Sequence, residues 1–117
     1  MRRVLARALE RAGCRVTAAC DGSEALVHLR PLAFPSFGPK PDLVVTDVCL
    51  PGFSGFEVLE TIRLLDRRIP VIVISAFVDR AMIDEARRLR ATEVVTKPFD
   101  VHGFVTDTLR LLADAAP

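Results

Sequence analysis

Leu43-Val44-Val45 and Val71-Ile72-Val73-Ile74 are unbroken apolar runs, and almost every member is β-branched. Such side chains are stiff at χ1, crowd a helix and pack well on a pleated surface. A strand with one wet face alternates apolar and polar residues. These runs do not alternate, so both their faces must be covered, as in a parallel sheet. Glu93-Val94-Val95-Thr96 is a third run of the same kind. Helical patterns separate the runs. Ser54-Gly55-Phe56-Glu57 reads as a capping box opening a helix with Val58, Leu59, Ile62 and Leu65 inward. Residues 79–89 form another, with Met82, Ile83 and Ala86 inward and Arg80, Arg87, Arg88 and Arg90 outward. Asp100 caps a last helix whose inner stripe is Val101, Phe104, Val105, Thr108, Leu109 and Leu112. Strands alternating with helices imply right-handed crossovers and a parallel sheet covered on both faces.

The N-terminal part opens on a helix, residues 1–12, with Val4, Leu5, Ala8, Leu9 and Ala12 on one stripe and Gly13 as its stop. Arg15–Ala19 reads as a short strand. Asp21-Gly22-Ser23-Glu24 resembles a capping box and starts a helix to about Leu29. Pro31–Pro41 then forms a Pro- and Phe-containing loop, long for a helix-to-strand connection, where ~2–6 residues is usual. It is either a surface excursion whose Phe34 and Phe37 tuck onto the body, or a docking loop.

The totals narrow the function classes. At 117 residues the chain is one domain. A net charge of +1 argues against a bulk electrostatic partner, so no direct nucleic-acid binding is expected. No apolar run approaches the ~20 residues that span a bilayer, and no signal-peptide core follows the basic start, so a cytoplasmic protein is expected. Cys14, Cys20 and Cys49 lack metal-ligand spacing and read as small buried residues of a reduced compartment. His28 and His102 are isolated, with exposure the default expectation.

The chemistry gathers where the runs stop. They end in Asp47, Ser75 and Lys97. In an open parallel sheet the C-terminal ends of the strands share one edge, where ligand chemistry sits. Asp47 alone is either such a group or a turn aspartate. Together the three suggest phosphoryl chemistry: a carboxylate nucleophile, with a hydroxyl and an ammonium to hydrogen-bond and neutralise phosphoryl oxygens.

Asp47 followed by Pro51-Gly52 and Gly55, then Ile74-Ser75-Ala76, then Thr96-Lys97-Pro98-Phe99, resembles the receiver domain of bacterial two-component response regulators over the whole chain. The resemblance implies a three-layer, flavodoxin-like (βα)5 α/β fold, a doubly wound parallel sheet of strand order 2-1-3-4-5. It implies that Asp47 accepts a phosphoryl group from a histidine kinase or phosphotransfer protein, that Ser75 is a switch hydroxyl and that Lys97 pairs with the phosphate. It also implies a cis Lys97-Pro98 bond. Mg²⁺ in this family is held by the phosphoacceptor, by a backbone carbonyl two residues beyond it (here Cys49) and by an acidic pair ending the first strand.

That first strand and its acids are missing from this chain, which starts at Met1 inside what should be the first helix. Asp47 and the Cys49 carbonyl make an incomplete site for a hard cation, so weak or absent Mg²⁺ binding and poor phosphorylation of this chain are expected. The missing strand is also the middle of the sheet. Its loss leaves unpaired backbone at about 1–3 kcal/mol per buried group. Closure of the gap, a partner chain's strand filling it, or instability are the alternatives. Either Met1 lies inside a longer reading frame, the favoured explanation, or the domain is truncated. Two further departures are Val94, where the family places a switch aromatic, and Arg90-Ala91, where it places Gly-Ala.

The leading expectation is therefore a single, N-terminally incomplete receiver domain over residues 1–117, without an output domain. It is a phosphorylation-controlled switch rather than an enzyme. A homodimer through the last helices goes with the resemblance. The second reading is a degenerate receiver, an interaction module that needs no phosphate. The third is a haloacid-dehalogenase-type phosphatase, which would need an acid where Cys49 stands.

Overall fold

The computed structural model describes residues 2–50 and 53–115. Helix α1 (Arg2–Arg11) is followed by α2 (Gly22–His28), α3 (Arg30–Ala33) and a 3₁₀ turn at Pro35–Phe37. Then come β1 (Val44–Asp47), β2 (Cys49–Leu50), β3 (Phe53–Ser54), α4 (Gly55–Leu65), β4 (Val71–Ser75), α5 (Arg80–Arg88), β5 (Glu93–Thr96) and α6 (Val101–Ala115). β1, β4 and β5 form a parallel sheet in that order, with Val44 opposite Val71 and Ile72 opposite Glu93.

β4 is the centre of the molecule, and every residue of it is buried. Its side chains alternate between two cores. Val71 and Val73 face a cluster with Leu59 and Ile62 of α4, Met82 of α5 and Leu29. Ile72 and Ile74 face Leu5 and Leu9 of α1 and Phe104 of α6. The sheet is thus sandwiched between helical layers, as its non-alternating sequence requires. Leu59 and Ile62 are 0% exposed, and burying each contributes about 1.5–3 kcal/mol. Thr108 sits in this second layer because its hydroxyl donates to the Phe104 carbonyl one turn back, at 2.9 Å.

Helix starts carry side-chain caps. The side chains of Asp21, Ser54 and Asp79 accept from the amides of Glu24, Phe56 and Met82. Asp100 accepts from the Gly103 amide at the start of α6. Gly13 has φ of +98°, as a helix stop. Arg90 follows α5 with φ of +62°, a conformation that costs a non-glycine residue about 1–2 kcal/mol. Arg63 of α4 closes over this corner. Its guanidinium donates to the carbonyls of Arg90 at 2.9 Å and Ile69 at 2.7 Å. Burial pulls the Arg63 pKa below the ordinary value, with Asp66 opposing and Arg90 adding to the fall. Arg63→Ala is expected to cost about 1–3 kcal/mol by leaving these carbonyls without a charged donor, read from the urea midpoint. An unchanged midpoint would mean the clamp has no net worth.

Several expectations are corrected. Arg15–Ala19 is not a strand: the two described sheets are built from other segments. Cys14 and Val16 instead pack on the same cluster as Leu43 and Val45. The sheet accordingly shows the last three positions of the expected 2-1-3-4-5 order. The Pro31–Pro41 loop begins within α3, where Pro31 occupies a first-turn position that needs no N–H, and goes on to the 3₁₀ turn. Phe34 and Phe37 do not tuck in. They are 59% and 58% exposed and pack edge to face on each other. Val4, Leu65 and Leu109 are exposed rather than inward, and Cys20 is exposed rather than buried. The expected Pro51-Gly52 turn lies outside the described residues.

Candidate functional site

Parallel register brings the three singled-out residues to one edge. Asp47 ends β1 opposite Ile74, and Ser75 ends β4 opposite Thr96, one residue before Lys97. Backbone bonds hold the ends level: Val48 N–H donates to the Ile74 carbonyl at 2.9 Å, and Lys97 N–H to the Ser75 carbonyl at 2.8 Å. Lys97 Nζ then reaches Asp47 Oδ2 at 2.5 Å, an ion pair between groups fifty residues apart in sequence. The two side chains are 31% (Asp47) and 29% (Lys97) exposed, so the pair lies partly in contact with solvent. The Lys97-Pro98 peptide bond is cis.

Helix α4 starts against the backbone of Asp47. Gly55 N–H donates to the Val48 carbonyl at 2.9 Å, and a Cβ built on Gly55 would lie 2.1 Å from the Asp47 carbonyl oxygen. Only a residue without a side chain permits this approach. Between them β2 and β3 form a two-residue antiparallel ladder, Cys49 opposite Ser54, that carries the chain from Asp47 into the α4 cap. These two strands carry no apolar run of their own; the Pro51-Gly52 pair between them in the sequence is their one signal.

Ser75 is at the same edge and buried, at 7% exposure. Its hydroxyl donates to the Phe77 carbonyl at 2.7 Å and accepts from the Phe77 amide at 3.2 Å. The hydroxyl is therefore engaged with the loop that leads to α5, while Phe77 itself is 75% exposed. No sequence motif announces this backbone hold.

Receiver domains generally bind Mg²⁺ for phosphorylation. Among the described residues, no three His, Cys, Asp or Glu side chains come together as a metal site. Asp47 brings one carboxylate, and one of its oxygens is already against Lys97. This donor set does not fit a hard cation that requires several oxygen ligands in strict geometry. Chemically, the edge offers a carboxylate nucleophile with an ammonium beside it and a hydroxyl close along the sheet. No helix of the described residues is long and apolar enough to cross a membrane.

Residues 1–108 match the family described as "Response regulator receiver domain". The chain is 37% identical over 107 residues to the transcriptional regulatory protein AfsQ1 of Streptomyces coelicolor, covering 92% of this chain and 43% of that one. It is 32% identical over 100 residues to the chemotaxis protein CheY of Thermotoga maritima, covering 85% of this chain and 78% of that one. In structure it is similar to the receiver domain of NtrX from Brucella abortus, with a TM-score of 0.81 at 25% identity, covering 96% of this chain and 89% of that one. The chain spans about half the length, or less, of the first curated relatives it matches.

Proposed function

The chain belongs to the response regulator receiver domain family, and from that membership we propose that it is a phosphoryl-accepting switch of a two-component phosphorelay, with Asp47 as the acceptor. The observation that carries the assignment is the Asp47–Lys97 pair at the C-terminal edge of a parallel sheet. A carboxylate oxygen of Asp47 attacks the phosphorus of a phosphohistidine on a histidine kinase or phosphotransfer protein. The P–O bond to Asp47 forms as the P–N bond breaks, and the electron pair of that bond stays on the leaving imidazole. Lys97 neutralises a phosphoryl oxygen as the carboxylate becomes an acyl phosphate. Ser75 exchanges its Phe77 bonds for a phosphoryl oxygen, and this couples the phosphate to the loop before α5.

No step here runs through Mg²⁺, because the residues present do not make its site. Receiver domains are signalling switches rather than classical enzymes. The phosphatase reading would need an acid at position 49, which is Cys49. We read residues 1–117 as one such domain, cytoplasmic and without nucleic-acid contact of its own. A second copy would dock on the last helices or lend a strand to the open side of β1.

The test is incubation with acetyl phosphate and Mg²⁺ followed by intact-mass measurement. A slow gain of one phosphoryl group, absent from Asp47→Asn, is the expected result. A gain that survives Asp47→Asn moves the acceptor elsewhere. No gain, with partner binding intact, favours the degenerate receiver, which the lack of an acidic cluster among the described residues supports.

A further inference from the structure

The parallel strands share a second edge, at their N-terminal ends, opposite Asp47. Three connecting segments reach it: residues 29–42 before β1, 66–70 before β4 and 89–92 before β5. Hydrogen bonds stitch them together. Val44 N–H donates to the Pro70 carbonyl at 3.0 Å, and Thr92 N–H to the Val71 carbonyl at 2.8 Å. Arg63 joins the second segment to the third through the Ile69 and Arg90 carbonyls. Lys40 meets Asp66 at 3.8 Å and ties the first segment to the end of α4.

Two kinds of side chain stand out from this end. Phe34 and Phe37 pack together with ring centroids 5.8 Å apart, and Leu64, in the last turn of α4, is 82% exposed. Of the eight large apolar side chains exposed among the described residues, these three and Leu65 are here. A soluble surface normally scatters such residues singly. At the same end stand Arg30, Lys40, Arg67, Arg68 and Arg90, all exposed, against two acids, Asp42 and Asp66. Asp66 is already engaged by the Arg68 and Ile69 amides and by Lys40. Arg30 lies over the Phe37 ring, 5.7 Å from its centroid. Among the described residues Arg30, Arg67, Arg68 and Arg90 have no acidic partner, whereas Arg80, Arg88 and Arg110 each have one. This end is therefore apolar at its tips and positive overall.

We infer that this end docks the domain on an anionic lipid surface, with Phe34, Phe37 and Leu64 entering the headgroup boundary and the basic side chains facing lipid phosphates. Aromatic and aliphatic side chains enter that boundary by burying apolar area, and each arginine or lysine near it adds electrostatic attraction. The backbone suits such a place. The amides of Leu32, Phe34, Phe37 and Gly38 donate within their own segment, and Pro31, Pro35, Pro39 and Pro41 have no N–H to withdraw from water. Two other occupants fit less well. A bound peptide needs a groove, and neither of the two larger grooves among the described residues is lined by these side chains. A single-stranded nucleic acid is held by basic side chains and aromatic stacking, and Leu64 and Leu65 offer it neither. Docked in this way the chain lies on the bilayer without crossing it, and Asp47 is at the end of β1 away from the lipid.

This inference goes beyond the phosphoryl switch, and its test is separate. The probe is sucrose-loaded vesicles of phosphatidylcholine with about one-third phosphatidylglycerol, sedimented with the full chain at low salt. Most of the protein is expected in the pellet at about 1 mM lipid. Partitioning to pure phosphatidylcholine should be about tenfold weaker or less, and partitioning to the mixed vesicles should fall as salt rises. The double variants Phe34→Ser with Phe37→Ser, and Arg67→Gln with Arg68→Gln, each lower partitioning about tenfold or more. All four side chains are exposed, so both variants keep the parent's melting temperature and its phosphoryl labelling of Asp47. Loss of docking is thereby separated from loss of fold or switch. The inference is overturned by equal partitioning to the two vesicle types, by unchanged partitioning of either double variant, or by no pelleting at about 1 mM lipid. A single-stranded oligonucleotide held more tightly than the vesicles, with the same loss in both variants, would assign this end to nucleic acid and overturn it too.

Discussion

Gly55→Ala is expected to lower the melting temperature by roughly 10 °C or more and to bring phosphoryl labelling of Asp47 down to background. The glycine is needed for space, not for an unusual φ. A Cβ there would lie 2.1 Å from the Asp47 carbonyl oxygen, 2.8 Å from the carbonyl carbon and 2.9 Å from Val48 Cα. All three atoms are backbone, so no rotamer change relieves the clash. Either the first turn of α4 lifts off β1, breaking the Gly55–Val48 hydrogen bond, or the end of β1 bends and carries Asp47 away from Lys97. Overpacking a core typically costs about 1–3 kcal/mol, and a backbone-to-backbone clash belongs at or above the top of that range. For a domain near this size each kcal/mol is worth about 4–8 °C. Gly103→Ala is the control. Its nearest obstacle is the Asp100 carboxylate at 3.2 Å, a side chain that can shift. Alanine is also the better helix former by about 0.5–1 kcal/mol. Thermal melts of the two variants should diverge; a Gly55→Ala melt matching the parent would refute the close-contact account.

The sheet was legible because β4 cannot be anything but covered: four apolar β-branched residues in a row leave no polar face. The starts of α4 and α6 were legible because Ser54 and Asp100 cap them with their own side chains. Such signals are local. What failed was non-local or marginal. Arg15–Ala19 has strand composition, yet composition alone does not place it in a described sheet. Val4 and Leu109 fit their stripes by spacing, but a helix buries only the middle of a stripe when its neighbours are small. The 3₁₀ turn and the exposed Phe34–Phe37 pair follow from prolines and packing that no periodicity encodes. At the site, Asp47, Ser75 and Lys97 could be named because each follows its own apolar run. Which of them touch could not. The ammonium reaches the carboxylate, whereas the hydroxyl is held by the backbone of Phe77, and that choice is made by loop geometry.

That division between the lysine and the serine sets the largest functional effect. Lys97→Met is expected to slow phosphoryl labelling of Asp47 by about 10²-fold or more, while changing stability by less than about 1 kcal/mol. The small stability effect follows from exposure: with both side chains about one-third exposed, water screens the pair and solvates the carboxylate left behind. The large kinetic effect follows from where charge develops. At rest one ammonium offsets one carboxylate. In transfer the same site must hold a phosphoryl group as well, and the described residues bring no metal cluster to share that charge. Lys97 is then the positive group that strengthens as the reaction proceeds, which makes it catalytic rather than merely attractive. Lys97→Arg keeps the charge but replaces a compact ammonium on a flexible stem with a wider planar fork, so it should recover only part of the rate. Single-turnover labelling, followed by intact mass alongside thermal melts, separates the two effects. A Lys97→Met variant that labels as fast as the parent would remove the lysine from the chemistry. One that loses more than about 5 °C, a shift of roughly 1 kcal/mol, would make the pair a structural tie between β1 and the end of β5.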